Sequence, residues 1–295
     1  MPRRLFFVVN PIAGKGRSGR IWPGLEKKLA GNGMEYSWEY TSGYRQGLQL
    51  AEQAIADGYN TIIAVGGDGT LWEVVNKVAE MGRRDITVGV LPTGTGNDFC
   101  RSLGIPSEPF LALEIILRGE VRTIDLGRIN GKFFVNALGV GFDSLVAQAA
   151  NNYHGVLKGK LVYLWAILKT LKNFQSPLMR LEIDGIEYKD RFVLVAVGNA
   201  KYYGGGLMIA PDAMMDDGLF DLVLIRDINR LEILKTLPRL SDGSHLGHPR
   251  VEVVRGREVI IHADPPQLFQ ADGEIVGQSP QMISILPSFL QVICP

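Results

Sequence analysis

Thr61-Ile62-Ile63-Ala64-Val65-Gly66-Gly67-Asp68-Gly69-Thr70-Leu71-Trp72-Glu73-Val74-Val75 is the stretch that decides the fold. Its apolar start, residues 61–65, reads as a buried strand. From Leu71 onward, Leu71, Val74, Val75 and Val78 recur at helical spacing as far as Met81, and Gly82 stops the run. A strand that passes through three glycines into a helix brings backbone N–H groups close to a polyphosphate with no Cβ in the way. The helix start adds partial positive charge at the same place. Thr70 is placed to cap that helix or to bind a phosphate oxygen. A carboxylate in such a loop repels phosphate unless a cation lies between them, so Asp68 points to Mg²⁺. The plain alternative is a tight turn with a capping aspartate.

Outward from this stretch the same alternation continues. Residues 5–9, 35–40 and 86–91 are short apolar runs bounded by Gly, Pro or Asn. Residues 46–57 carry Leu48, Ala51 and Ile55 at helical spacing, with Gly58 as the stop. Strand–helix alternation predicts a parallel sheet with helices on both faces, and successive loops of such a sheet open at one carboxyl edge. Two further glycine loops follow strands. Asn10-Pro11-Ile12-Ala13-Gly14-Lys15-Gly16-Arg17-Ser18-Gly19 contains G-x-G-x-x-G, and Glu39 lies roughly twenty residues beyond it. Asn-Pro before the first glycine fits a dinucleotide fingerprint badly, and an irregular turn into a helix is the alternative. Pro92-Thr93-Gly94-Thr95-Gly96-Asn97-Asp98-Phe99 follows the next strand. No G-x-x-x-x-G-K-[ST] occurs, which excludes a P-loop. Convergence of three glycine loops on one crevice is the case for a nucleotide site.

Past residue 121 the pattern changes. Residues 122–129, 133–138, 179–183, 192–197, 220–225, 251–254, 259–262 and 282–286 are strand-like, with a helix over 159–174 and a shorter one near 231–237. Asn130-Gly131 and Asp184-Gly185 read as hairpin turns. The expected architecture is therefore an α/β domain over residues 1–121 and a mainly antiparallel, β-rich domain over 122–295, meeting along a cleft that holds the active site. The last strand, residues 289–293, could return to the first domain. The second half also supplies carboxylates: Asp272-Gly273-Glu274 as a turn, Asp212, and Asp216-Asp217-Gly218. Phosphoryl transfer needs one carboxylate to accept the acceptor's hydroxyl proton and others to hold Mg²⁺.

Composition sets outer limits. The 295 residues are 46% hydrophobic and 21% charged, and Lys plus Arg equals Asp plus Glu at 31 each. That balance gives no bulk attraction to nucleic acid or anionic membrane. Cys100 and Cys294 fit no zinc or redox spacing, and the absence of a disulfide framework favours a reducing compartment. The apolar run at residues 5–9 is too short for a signal peptide core, and residues 161–168 are too few to span a bilayer. The expectation is a cytosolic protein that visits a membrane only at its surface.

Taken together, Asn-Pro-x-x-Gly at 10–14, Gly-Gly-Asp-Gly-Thr at 66–70, Gly-Thr-Gly-Asn-Asp at 94–98 and Asp-Gly-Glu at 272–274 resemble the diacylglycerol kinase catalytic family, in its soluble bacterial branch related to sphingosine kinases. The likeness extends over nearly the whole chain, through Gly139-Val140-Gly141-Phe142-Asp143, Gly204-Gly205-Gly206-Leu207-Met208 and residues 211–219. Gly-Gly-Asp-Gly-Thr alone is shared with NAD kinases and phosphofructokinases; the combination is specific. The resemblance implies an ATP site between an NAD-kinase-like α/β domain and a β-rich domain. By position it puts Asn10, Pro11, Ile12, Ala13, Gly14, Thr41, Gly66, Gly67, Asp68, Gly69, Thr70, Leu71, Trp72 and Thr95 against the nucleotide. It makes Glu274 and Asp272 the candidates for the base. It implies a Mg²⁺ site of Met214 carbonyl, Asp217 carboxylate and Leu219 carbonyl, joined by Asp68 and Asp98 through water. Trp72 stands where many members have Asn, which implies an altered nucleotide contact. The implied reaction moves the γ-phosphoryl group of ATP to the hydroxyl of a membrane lipid, diacylglycerol first among candidates.

Two rivals remain at this level: a kinase of a soluble acceptor, resembling NAD kinases, and a non-catalytic nucleotide- or lipid-sensing module. A homo-oligomer is compatible with the sequence, which selects no oligomeric state. His245 and His248 read as a surface loop rather than a metal pair, and Tyr163, Leu164, Trp165, Ile167 and Leu168 as a helix packing face. Tyr202, Tyr203, Leu207 and Met208 are candidates for an apolar path near the cleft.

Overall fold

The computed structural model describes residues 3–155 and 160–295. In the first half β1 (Arg4–Val9), α1 (Ala13–Ala30), β2 (Glu35–Tyr40), α2 (Gln46–Ala56), β3 (Thr61–Gly66), α3 (Asp68–Glu80) and β4 (Thr87–Pro92) alternate. The four strands are parallel, in the spatial order β2-β1-β3-β4. Every residue of β3 and β4 is buried, as expected of a sheet covered on both faces. Leu50, Ala51, Ala54 and Ile55 of α2, and Leu71, Val74, Val75 and Val78 of α3, close the core over it.

α4 (Asp98–Ser102) and α5 (Pro109–Arg118) lead to β5 (Val121–Ile129), β6 (Lys132–Phe134), β7 (Ala137–Gly141), α6 (Phe142–Asn151), α7 (Lys160–Asn173), β8 (Leu178–Ile183) and β9 (Ile186–Gly198). Then come the short pair β10 (Tyr202–Tyr203) and β11 (Leu207–Met208), followed by β12 (Phe220–Arg226), α8 (Arg230–Thr236), β13 (Val251–Gly256), β14 (Glu258–Asp264), β15 (Leu268–Ala271), β16 (Glu274–Gln278) and β17 (Gln281–Ile293). Pairing in this half is antiparallel, around a second core that includes Phe134, Phe192, Phe220 and Phe269. Asn130-Gly131, Asp184-Gly185 and Asp272-Gly273 all have two successive positive φ angles, as two-residue hairpins require. β17 ties the halves together. It runs antiparallel to β5 and adds in parallel to β4 at Gln291↔Thr87 and Val292↔Val88.

Four expectations are corrected. Residues 133–138 are not one strand: β6 ends at Phe134, because the N–H groups of Val135, Asn136 and Ala137 turn to the Asp272 carboxylate at 2.8, 3.0 and 3.2 Å. α3 begins at Asp68 rather than Leu71, and Thr70 does not cap it; the Thr70 hydroxyl instead accepts from Asn10 Nδ2 at 3.2 Å. His245 is buried, not on a surface loop, with Nε2 3.1 Å from the Ile209 carbonyl. Along α7, Trp165 and Ile167 pack against the core beside Ala166 and Leu171 as expected, while Tyr163, Leu164 and Leu168 are exposed. Gly159, the expected start of that helix, lies outside the described residues. Among the described residues no helix is long and apolar enough to cross a membrane.

Candidate active site

The strand order puts a reversal between β1 and β3: the chain leaves β1 toward β2 on one side, while β3 and β4 lie on the other. Loops at the carboxyl ends of strands flanking such a reversal diverge and leave a crevice. Here the loops after β1, β3 and β4 are stitched together at that edge. Asn10 N–H donates to the Val65 carbonyl at 2.9 Å, and Thr93 and Gly94 N–H donate to the Gly66 carbonyl at 2.8 and 3.0 Å. Gly14 has φ 58°, and a Cβ there would lie 2.1 Å from the Thr93 carbonyl oxygen, so the first and third loops can meet only through glycine.

Asp68 fixes the third loop. Its Oδ2 accepts Asn97 N–H at 2.7 Å and its Oδ1 accepts Asp98 N–H at 2.8 Å. Burial raises its pKa, opposed by these two bonds. Asp98 extends the chain of contacts, its Oδ2 accepting Gly205 N–H from the turn between β10 and β11 at 2.7 Å. Burial pushes Asp98 up to about 6, against the Gly205 bond and with the help of the Asp68 charge. Asp98 Oδ1 and Asn97 Oδ1 are buried without a protein partner.

The cleft at this edge has a volume of about 410 Å³. Of the residues expected against the nucleotide, Asn10, Ala13, Gly14, Gly67, Asp68, Gly69, Thr70, Trp72 and Thr95 line it. Pro11, Ile12, Thr41, Gly66 and Leu71 do not: Leu71 belongs to the core, Ile12 projects outward, and Gly66 and Thr41 spend backbone groups on Thr93 and Val9. Glu274, at the start of β16, closes the opposite wall and accepts from Tyr44 Oη at 3.3 Å. Asp272 does not line the cleft. Its carboxyl turns inward onto the three N–H groups between β6 and β7, and burial nevertheless pushes it up to about 7.

The segment expected to hold metal is separate from this wall. Asp217 is paired with Arg255 and accepts Leu219 N–H at 3.1 Å. Asp125 holds the same segment through Gly218 N–H at 2.7 Å. Asp221 Oδ2 is buried without a partner beside it, and Asp217 and Asp212 both raise its pKa after burial does. An all-oxygen set with more negative than positive charge fits a hard cation in chemistry. Among the described residues no three acidic, histidine or cysteine side chains are gathered to hold a metal ion, so a cation here would rely on the carbonyls of Met214 and Leu219 beside the Asp217 carboxylate, with which Arg255 is now paired.

Tyr44, Arg45 and Glu73 also line the cleft and were not anticipated. Nothing in the short loop before α2 marks Tyr44 and Arg45 by residue pattern; Glu73 carried a signal as a residue kept from the family pattern after Gly-Gly-Asp-Gly-Thr, with no role assigned to it from the sequence.

A parallel sheet with a crevice at its switch point, floored by glycine loops and a helix start and walled by carboxylates, defines a nucleotide-dependent phosphotransferase. Comparison with known proteins agrees. The diacylglycerol kinase catalytic domain profile matches residues 4–129, and that of the YegS C-terminal NAD kinase beta sandwich-like domain matches residues 136–294. A diacylglycerol kinase of Mycobacterium tuberculosis is 33% identical, over 98% of this chain and 94% of its own. One from Staphylococcus carnosus is 30% identical, over 100% and 96%. The crystal structure of a putative diacylglycerol kinase from Bacillus anthracis superposes with a TM-score of 0.82 at 25% identity, covering 99% of this chain and 97% of that one. The chain belongs to the bacterial diacylglycerol kinase family. It is a kinase, with ATP as co-substrate.

Proposed function

We propose that this kinase transfers the γ-phosphoryl group of ATP to the free hydroxyl of diacylglycerol presented at a membrane surface, giving phosphatidic acid. The observation that carries the reading is the position of Glu274 across one cleft from the three glycine loops. In this reading the loops at Gly14, Gly67–Gly69 and Gly94–Gly96 hold the phosphates through backbone N–H groups and the start of α3. Asp68 keeps the loops in register. The lipid hydroxyl enters against Glu274, which takes its proton as the oxygen bonds to the γ-phosphorus. The bond from that phosphorus to the bridging β–γ oxygen breaks, and ADP leaves. Asp272 positions Glu274 by pinning the hairpin between β15 and β16 to residues 135–137. Asp217 with the carbonyls of Met214 and Leu219 would hold Mg²⁺, linked to Asp68 and Asp98, and the ion would supply positive charge against those carboxylates.

The relatives' designation as diacylglycerol kinases supports the choice of acceptor. Exposed Leu161, Leu164 and Leu168 along α7 support peripheral contact with lipid. Tyr203 is buried, its pKa raised well above the ordinary range first by burial and then by Asp143 and Asp98, and none of Tyr202, Tyr203, Leu207 and Met208 is among the residues lining the cleft. The test is incubation with γ-labelled ATP and phosphatidylcholine vesicles containing diacylglycerol. Label must appear in organic-extractable phosphatidic acid, and its absence refutes the acceptor.

A further inference from the structure

Among the described residues lining the cleft there are three carboxylates, Asp68, Glu73 and Glu274, and one cation, Arg45. A polyphosphate entering this cleft meets net negative side-chain charge, so the placement of that one cation matters. It is held from several directions. Arg45 has φ 61° and ψ 13°, a left-handed conformation that is uncommon for a residue with a side chain. The conformation is imposed from α3: the Glu73 carboxylate takes the N–H groups of Arg45 and Gly47, the latter at 2.7 Å. A Cβ at Gly47 would lie 2.4 Å from Glu73 Oε2, so only glycine lets this clasp form.

The guanidinium lies over two rings. Its Cζ lies 5.1 Å from the centre of the Tyr44 ring and 5.7 Å from that of Trp72. Rings at such distances hold the cation electrostatically and leave its N–H groups free. The nearest carboxylate oxygen, Glu274 Oε2, is 3.9 Å from Nη2, beyond hydrogen-bond distance. Among the described residues no protein group accepts a hydrogen bond from this guanidinium. Trp72 Nε1 is likewise buried without an acceptor. A planar fork of donors, on a backbone held by Glu73, lying over two rings and with no contact to a carboxylate shorter than the 3.9 Å ion pair to Glu274, suits a multi-oxygen anion.

Resting on the assignment of Glu274 as base, we propose that Arg45 is a catalytic residue that binds the transferring phosphoryl group of ATP, with Tyr44 and Trp72 setting the plane of its guanidinium. An acceptor oxygen within reach of Glu274 must also be within reach of the γ-phosphorus. Arg45 is therefore beside the oxygens whose charge changes in transfer.

Arg45→Gly tests this without a folding penalty, because glycine adopts the left-handed conformation freely; Arg45→Lys keeps the charge and loses the fork. With ATP and diacylglycerol vesicles, Arg45→Gly lowers kcat about 10²-fold, the scale of one lost transition-state donor. Arg45→Lys recovers only part of the loss. Calorimetry without acceptor then compares ADP with a non-hydrolysable ATP analogue. The variant binds ADP as the wild type does and the analogue more weakly. That arm reads Arg45 even if the wild type fails to label diacylglycerol, so the two ideas fail separately. Unchanged kcat in Arg45→Gly, or equal weakening of ADP and the analogue with kcat retained, overturns the proposal and makes Arg45 a wall of the nucleoside site.

Discussion

One carboxylate oxygen of Asp68 accepts the backbone N–H of Asp98 at 2.8 Å, across thirty residues of sequence. With the Asn97 bond on the other oxygen, Asp68 joins the start of α3 to the loop after β4. The residue is therefore a fastener for the phosphate loops as well as a source of charge, and the loss of either role is measurable.

Asp68→Asn keeps the volume but turns an amide NH₂ toward a backbone N–H, leaving a donor facing a donor. An unmet buried donor costs about 1–3 kcal/mol, enough to free the third loop. Turnover falls about 10²–10³-fold, and the amides of Asn97 and Asp98 lose protection in hydrogen exchange. Normal turnover with normal protection would show that the loops assemble without this contact.

Asp272 and Glu274 separate by position, and their variants separate by phenotype. Glu274→Gln lowers kcat about 10²–10⁴-fold, as loss of a general base does, with little change in affinity for ATP. Asp272→Asn leaves part of the activity but loosens residues 135–137, so its first effect is on the melting temperature. If Glu274→Gln binds ATP poorly and turns over normally at saturation, the side chain serves the nucleotide and not the acceptor.

The Asp272 carboxyl also predicts a pH dependence of stability. Folding raises it to about 7, against about 3.9 in an unfolded chain. Between those values the native state holds a proton that the unfolded state lacks, so this group's contribution to stability declines as pH rises from about 4 to about 7 and is level beyond. Asn does not titrate. The melting temperature of Asp272→Asn, measured from acid to neutral pH, gains on that of the wild type across this window. Parallel curves would mean that the carboxyl is ionised in the fold throughout.

Much of the fold is legible in local pattern. β3 and β4 lie within a residue of the bounds expected of them, because runs covered on both faces announce themselves by apolarity; β2, at the sheet edge with no residue fully buried, keeps the bounds 35–40 through the alternating Tyr36, Trp38 and Tyr40. The break at Val135-Asn136 was not legible: its cause is Asp272, 137 residues from Val135 in the chain. At α1 the alternative reading, an irregular turn into a helix, is the one found, with Gly14, Lys15 and Gly16 left-handed at its start; its extent was obscured by Pro23 inside it. In the cleft, glycine loops marked the floor, since backbone contact with phosphate restricts residue type. Tyr44 and Arg45 were invisible because their placement depends on Glu73 reaching the start of α2 from another helix.

At the second acidic cluster, Asp217 is now paired with Arg255. A cation bound there competes with the guanidinium and gains the Asp217 and Asp221 charges. Asp217→Ala raises the Mg²⁺ concentration for half-maximal activity, while Arg255→Gln lowers it. Unchanged Mg²⁺ dependence in both would reduce the segment to a turn before β12.

The most direct measurement supplies γ-labelled ATP with diacylglycerol in phosphatidylcholine vesicles beside glycerol, NAD and sugar phosphates in solution, at equal bulk concentration. Diacylglycerol is expected to be labelled fastest, with a rate that rises with its mole fraction in the vesicle surface at constant bulk amount. Faster labelling of any soluble acceptor would contradict the assignment of a lipid hydroxyl to the cleft facing Glu274.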